Sequence, residues 1–198
     1  MSAPVVRPAR ASDRDALYAI CRATGNAGED ASAAGRDPDL LGHLYAGPYL
    51  ALAPQWAWVA EDSLGVCAYA LAVPDTASFY AAMAQSWLPP LRARYGDQAH
   101  PDDAALLAQL HAKPQCDPRL GEWPAHLHVD LLPRAQGQGL GGVLMRTLLD
   151  ALGAAGVRGV HLGVDPRNER ALAWYPRFGF TPMWRDQGCV WMVRSLEA

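Results

Sequence analysis

This sequence is poor in lysine and has no long apolar runs. Its 198 residues include one lysine, Lys113, and its 17 basic residues are outnumbered by 20 acidic ones, for a formal net charge of −3. The basic residues are scattered, so the charged footprint of a nucleic-acid-binding protein is not expected. No run approaches the roughly 20 apolar residues that span a bilayer, and residues 1–7 lack the apolar segment of a secretory signal peptide. We therefore expect a cytoplasmic protein without membrane or nucleic-acid partners.

Cysteine is also sparse. The four cysteines, at positions 21, 67, 116 and 189, are far apart and form no CxxC pair. This spacing indicates neither a disulfide framework nor a zinc site, and we expect no metal. The length suits one domain covering residues 1–198, with enough chain to bury a substantial core.

Along the sequence, segments with strand-like patterns are interspersed with segments that have helix-like patterns. Strand patterns occupy residues 5–9, 56–60, 66–73, 125–132, 157–164, 181–185 and 189–193. Between the third and fourth strands, residues 74–124 carry helical patches at 79–88 and 102–111, separated by Pro89 and Pro90 and by a break at 96–97. The sequence therefore predicts an α/β fold with a helical insertion at about 74–124.

Two further helices are predicted in the last third of the chain. Leu140, Leu144 and Leu148 recur at helical spacing, and glycines at 153 and 156 are expected to end that helix. Asn168 can cap a second, short helix that runs through Tyr175. Pro176 lacks a backbone N–H and is expected to end or kink this helix.

A glycine-rich turn at residues 136–142, reading QGQGLGG, joins a strand to a helix. Residues without side chains let the backbone approach a ligand closely, and free N–H groups at a helix start attract anions, so the turn predicts a pyrophosphate site. Gly137, Gly139 and Gly142 also satisfy GxGxxG, with Asp165 roughly 20 residues later, as in dinucleotide-binding folds. A nucleotide-dependent oxidoreductase is disfavoured, because too little chain follows Asp165 to supply more parallel strands.

The same turn resembles the pyrophosphate motif of the GNAT superfamily of N-acetyltransferases, (Gln/Arg)-x-x-Gly-x-(Gly/Ala). Further motifs follow in the order typical of that family: Asn168-x-x-Ala171-x-x-Trp174-Tyr175 and Phe178-Gly179-Phe180. The segments at 56–59, 65–70 and 87–89 most resemble the acetyltransferase-like C-terminal domain of O-GlcNAcases.

The resemblance implies a GNAT fold with a mixed central sheet of about six to seven strands flanked by helices. It implies acetyl-CoA as cosubstrate and acetyl transfer to a primary amine of an unidentified acceptor, with a non-catalytic acetyl-CoA-binding module as the alternative. The residues implied for cofactor binding are Val129, Leu131, Leu132, Gln136, Gly137, Gln138, Gly139, Leu140, Gly141, Gly142, Asn168, Ala171, Trp174 and Tyr175.

The resemblance also places Tyr175 where family members protonate the leaving thiolate. Strand alternation puts His126, His128 and Asp130 on one face of the fourth strand, where either histidine or Asp130 is a candidate base. Asp165 is a further candidate. The residues alone do not select one base among these.

Overall fold

The computed structural model describes residues 4–33, 36–96, 100–186 and 188–196, and within them a seven-stranded sheet carries helices on both faces. The strands are β1 (Val5–Pro8), β2 (Ala57–Asp62), β3 (Gly65–Val73), β4 (Ala125–Leu131), β5 (Gly159–Val164), β6 (Thr181–Arg185) and β7 (Val190–Ser195). The helices are α1 (Arg14–Thr24), α2 (Leu40–Tyr45), α3 (Gly47–Leu52), α4 (Thr76–Ala82), α5 (Leu88–Arg94), α6 (Ala104–His111), α7 (Leu140–Ala154) and α8 (Glu169–Trp174). The predicted mixed α/β fold is confirmed. That residues 1–198 form one domain stays a prediction.

The sheet opens between its two central parallel strands. Its order is β1-β2-β3-β4-β5-β7-β6, and the β4–β5 pair is parallel while the other neighbouring pairs described here are antiparallel. The β4–β5 pairing is restricted to Ala125 with Val160 and His126 with His161. Both strands continue beyond these pairs, so they diverge and leave a gap in the sheet.

The core lies on both faces of the sheet, and β3 at its centre contributes to each side. The last seven residues of β3 are buried. Ala68, Ala70 and Ala72 pack in the cluster that contains α7, and Tyr69, Leu71 and Val73 pack in the cluster of the other layer. On α7, residues at every fourth position are fully buried against the sheet, as the leucine spacing predicts: Leu144, Leu148 and Leu152. Each buried leucine contributes about 1.5–3 kcal/mol of hydrophobic stabilisation.

The insertion between β3 and β4 is helical, as predicted, but the predicted break at Pro89 and Pro90 is wrong. Helical structure continues from Thr76 to Arg94 through a π-helical stretch, Met83–Trp87, and both prolines lie in the first turn of α5. The hydrogen-bond ladder directly before these prolines is π-helical, with the Leu88 N–H bonded to the Met83 carbonyl, so the missing N–H groups fall where the regular α-helical pattern is already interrupted. The indole N–H of Trp87 also anchors this stretch to the His43 carbonyl at 2.9 Å.

Two helix ends differ in how well the sequence predicted them. Helix α7 continues past Gly153 to Ala154, and Gly156, at φ 72°, lies beyond its end. Helix α8 ends at Trp174, just before Pro176, as the proline predicted. The predicted break at 96–97 and the segment between the predicted strands at 181–185 and 189–193 lie partly outside the described residues. No helix within the described ranges is both long and apolar enough to cross a membrane.

Candidate active site

A cleft of about 380 Å³ occupies the gap where β4 and β5 diverge. It is lined by Thr24, Gly28, Val129, Asp130, Leu131, Ala135, Gln136, Gly137, Gly139, Leu140, Gly141, Gly142, Asn168, Arg170, Ala171, Trp174, Tyr175 and Arg177. The structure thus brings together all the residues predicted to hold the cofactor except Leu132 and Gln138. The N–H of Leu132 bonds the Cys67 carbonyl at 2.9 Å, and the Gln138 amide turns back to the Arg134 carbonyl at 2.6 Å.

The glycine turn gives the cleft a set of free backbone N–H groups. Gly137 (φ 73°) and Gly139 (φ 78°) adopt left-handed backbone, which costs other residues roughly 1–2 kcal/mol. Helix α7 begins directly after Gly139, and its first helical bond runs from the Val143 N–H to the Gly139 carbonyl at 3.1 Å. The preceding N–H groups have no helical acceptor, so this end of α7 can bind an anion.

Gln136 ties the turn to both sides of the cleft. Its Nε2 donates to the Leu131 carbonyl on β4 at 3.0 Å, and its Oε1 accepts from the Arg170 guanidinium on α8. Arg170 and Arg177 place positive charge in the lining of the cleft. The sequence analysis missed both arginines, and no motif in the sequence marks them.

Helix α8 is held against the turn by its cap and by a close approach to α7. Asn168 Oδ1 accepts the Ala171 N–H at 3.0 Å, which confirms the predicted cap. A Cβ placed on Gly141 would lie 3.2 Å from the Trp174 ring, so glycine at this position lets the two helices approach closely. The ring of Trp174 also packs against Tyr175, with 5.2 Å between centroids.

Asp130 is the carboxylate-bearing residue among those that line the cleft. The Tyr69 hydroxyl donates to Asp130 Oδ2 at 2.5 Å, and the Cys21 sulfur lies 3.1 Å from the same hydroxyl. Burial raises the pKa of Asp130 above its usual range, while the hydroxyls of Tyr69 and Thr24 oppose this rise. The sequence analysis missed Tyr69, which lies 61 positions from Asp130 in the chain.

Tyr175 also lines the cleft, with 8% of its surface exposed. Burial raises the pKa of Tyr175 well above its usual value, and the nearby Asp130 charge adds to this. The phenol is therefore protonated at neutral pH and can donate. Pro176 lies in the 3-10 turn that follows α8 and leaves the tyrosine in the cleft wall.

The other candidate bases lie outside the cleft lining. The Thr76 hydroxyl donates to the Pro124 carbonyl at 2.7 Å, so His126 Nδ1–H donates to Thr76 (2.8 Å) and His126 Nε2 accepts from Tyr49 (2.6 Å). Both His126 ring nitrogens are thus engaged. Burial lowers the pKa of His128 to about 4, and Asp165 forms a surface ion pair with Arg167 at 2.8 Å. Within the described ranges, no group of three or more His, Cys, Asp and Glu side chains is arranged to hold a metal ion.

Comparison with known proteins gives the class of the chain. The model of the acetyltransferase (GNAT) family matches residues 80–180, about half of the sequence. A solved structure called SsHAT is 37% identical and superposes with a TM-score of 0.92 over 100% of both chains. The chain belongs to the GNAT acetyltransferase family.

Similar proteins include O-GlcNAcases and a mycothiol acetyltransferase. Rat protein O-GlcNAcase is 28% identical over 180 residues, covering 88% of this chain and 20% of the relative, so the chain spans about a fifth of that protein's length. Mycothiol acetyltransferase from Beutenbergia cavernae is 47% identical over 81 residues, covering 41% of this chain and 26% of the relative. The predicted resemblance to O-GlcNAcases is confirmed.

At least two structural neighbours were solved with acetyl-CoA. The structure of yncA from Salmonella typhimurium, determined with acetyl-CoA, superposes with a TM-score of 0.58 at 18% identity and covers 100% of this chain and 96% of that one. At this identity the likeness shows a shared fold only.

Proposed function

We propose that the chain binds acetyl-CoA in the β4–β5 cleft and transfers the acetyl group to a primary amine of a small molecule, peptide or protein. The observation that carries this proposal is the start of α7, whose free N–H groups and left-handed glycines open into the gap between the diverging strands. The acetyl-CoA in the yncA structure, on the same fold, supports the choice of cofactor. A cytoplasmic location stays a prediction.

The chain's own groups suit the pyrophosphate and the pantetheine arm of this cosubstrate. The free N–H groups at the start of α7, with Arg170 beside them, suit the pyrophosphate. Where β4 has lost its partner β5, the Val129 backbone and the Leu131 N–H can bond the amide-bearing pantetheine arm, while the Leu131 carbonyl already accepts from Gln136. A backbone N–H near Leu131 would stabilise the oxyanion.

Two side chains would handle protons in a direct transfer. Asp130 would accept a proton from the attacking amine, and Tyr175 would donate one to the departing sulfur. Both line the same cleft, and burial keeps the Tyr175 phenol protonated at neutral pH. His128 stays a candidate base, although it lies outside the cleft lining.

The non-catalytic alternative is favoured by one observation. Among the candidate bases only Asp130 lines the cleft, and burial raises its pKa. As the pH falls, a growing fraction of the molecules therefore has a protonated Asp130, which cannot accept a proton from the amine. A chain that binds acetyl-CoA without turnover would fit this arrangement.

Calorimetric titration with acetyl-CoA tests the binding claim. Gly139→Glu places a carboxylate at the start of α7, so we expect it to abolish measurable binding by charge repulsion. Gly156→Glu is the matched control, since Gly156 is also left-handed, lies beyond the opposite end of the same helix and has open space around its Cβ. It should bind like the wild type, and NAD should not bind. Equal binding by both variants would overturn the proposed site.

Turnover is tested separately by following thiol release from acetyl-CoA with a panel of primary amines. Amine-dependent release that Asp130→Asn reduces about a hundredfold or more supports the transferase. Binding of acetyl-CoA without release on a broad panel supports the non-catalytic module instead.

A further inference from the structure

Tyr69 and Asp130 are direct cross-strand partners at the centre of the sheet. The register of β3 against β4 pairs these two residues, so their side chains stand next to each other on the same face. Tyr69 is fully buried, and its hydroxyl donates to Asp130 Oδ2 at 2.5 Å. Because Asp130 lines the cleft, this bond links the buried core directly to the candidate active site.

Helix α1 holds the Tyr69 hydroxyl from the other side. The Cys21 sulfur lies 3.1 Å from it, and Cys21 is itself 4% exposed. A phenol has one hydrogen, and here it points to the carboxylate, so the Cys21 thiol is the donor to the Tyr69 oxygen. Hydrogen bonds therefore run in one direction from Cys21 on α1 to Tyr69 on β3 and on to Asp130 on β4. The Cys21 end of this hydrogen-bond chain is buried away from water.

This carboxylate differs from the structural carboxylates of the same protein. Asp13 and Asp103 are buried, and each forms an ion pair with an arginine, Arg7 and Arg36 respectively, at 2.7 Å. Among the described residues, the Tyr69 hydroxyl donates to Asp130, and the Cys21 thiol, the Tyr175 phenol and the Thr24 hydroxyl, which itself donates to the Ile20 carbonyl at 2.8 Å, lie near it. His128 shares the same face of β4, and burial lowers its pKa to about 4, so none of these groups is cationic at neutral pH. A carboxylate held by one neutral hydroxyl donor keeps more proton affinity than one paired with arginine.

We propose, on the basis of the proposed function, that Tyr69 is a positioning residue that fixes one Asp130 oxygen and leaves the other to take the acceptor's proton. The uncharged amine nitrogen forms the bond to the acetyl carbon, its proton moves to Asp130, and the carbon–sulfur bond breaks. Tyr175 gives its proton to the sulfur and regains one from Asp130 through water, so the reaction releases no net proton from a neutral amine.

The proton affinity of Asp130 in the unliganded protein tests this inference. Carbon-13 NMR of protein labelled at the aspartate carboxyl carbons, with the Asp130 signal assigned by its loss in Asp130→Asn, gives its titration curve. In Tyr69→Phe we expect the Asp130 pKa to rise by about one unit, because the lost hydroxyl stabilised the charged carboxylate. The ring remains, so the core stays filled.

Tyr45→Phe is the matched control. It removes a hydroxyl that bonds the Gln109 side chain at 2.6 Å and should leave the Asp130 titration unchanged. An unchanged Asp130 titration in Tyr69→Phe would overturn the inference. If Tyr69→Phe does not fold, Cys21→Ala should still raise the Asp130 pKa, by a smaller amount. An unchanged Asp130 pKa in Cys21→Ala would then overturn the inference. Acetyl-CoA calorimetry on the same samples reports separately on the proposed function.

Discussion

At the scale of single residues, the cleft depends on charges that local sequence does not reveal. Arg170 reaches Gln136 across 34 positions of chain and stands beside the free N–H groups of α7. The neighbouring Arg167 forms an ion pair with Asp165 at 2.8 Å and does not line the cleft. Two arginines on one short segment therefore have different surroundings, one in the cleft lining and one in a surface ion pair.

This difference predicts different effects on cofactor affinity. Arg170→Gln should weaken acetyl-CoA binding about three- to tenfold, because one exposed charge beside the phosphates is lost, and the effect should shrink as salt rises. Arg167→Gln should change affinity less than twofold. Calorimetry at two salt concentrations measures both variants, and equal losses would show that Arg170 has no specific role at the phosphates.

At the scale of elements, α8 is a short helix whose position depends on its cap. None of its six residues is buried, so packing holds it only weakly, and Asn168 supplies the capping bond to the Ala171 N–H. Asn168→Ala should lower the free energy of unfolding by about 1 kcal/mol. Asn168→Asp keeps a capping oxygen and should retain most of the stability. Urea unfolding of the two variants makes the comparison, and equal losses would argue against the cap.

The secondary-structure elements also show which features could be predicted from the sequence. The strands and α7 follow from local apolar spacing, and the turn before α7 follows from the glycines within residues 136–142, so these elements were predictable. That this turn binds the cofactor stays a prediction. The prediction of a helix break at Pro89 and Pro90 was wrong because tertiary packing of the π-helical stretch outweighed the local tendency of proline to end a helix. Tyr69 and Arg170 were missed because their roles depend on contacts between distant segments, which no local pattern encodes.

At the scale of the whole molecule, four histidines predict sensitivity to acid. Burial lowers the pKa of His43, His126 and His161 from the usual 6.5, and lowers that of His128 to about 4. In the unfolded chain these groups bind protons below about pH 6.5, whereas in the folded chain they stay neutral to lower pH. The stability they contribute is therefore present above pH 6.5 and is lost as the pH falls towards 4.

Urea unfolding between pH 7.5 and 4.5 measures this loss. Each histidine can contribute up to about 1.4 kcal/mol per pH unit to the slope. His128→Gln, which removes one such group, should make the slope shallower than in the wild type. A free energy of unfolding that stays constant across this range would contradict the assignment of these histidines as buried and neutral.

The central claim is that the gap between β4 and β5 holds acetyl-CoA with its pyrophosphate at the start of α7. A crystal structure of the protein with acetyl-CoA is the most direct test. The account predicts pyrophosphate oxygens within hydrogen-bonding distance of backbone N–H groups in residues 137–142, and the thioester sulfur beside Tyr175. Cofactor bound elsewhere, or an empty cleft at saturating acetyl-CoA, would contradict it.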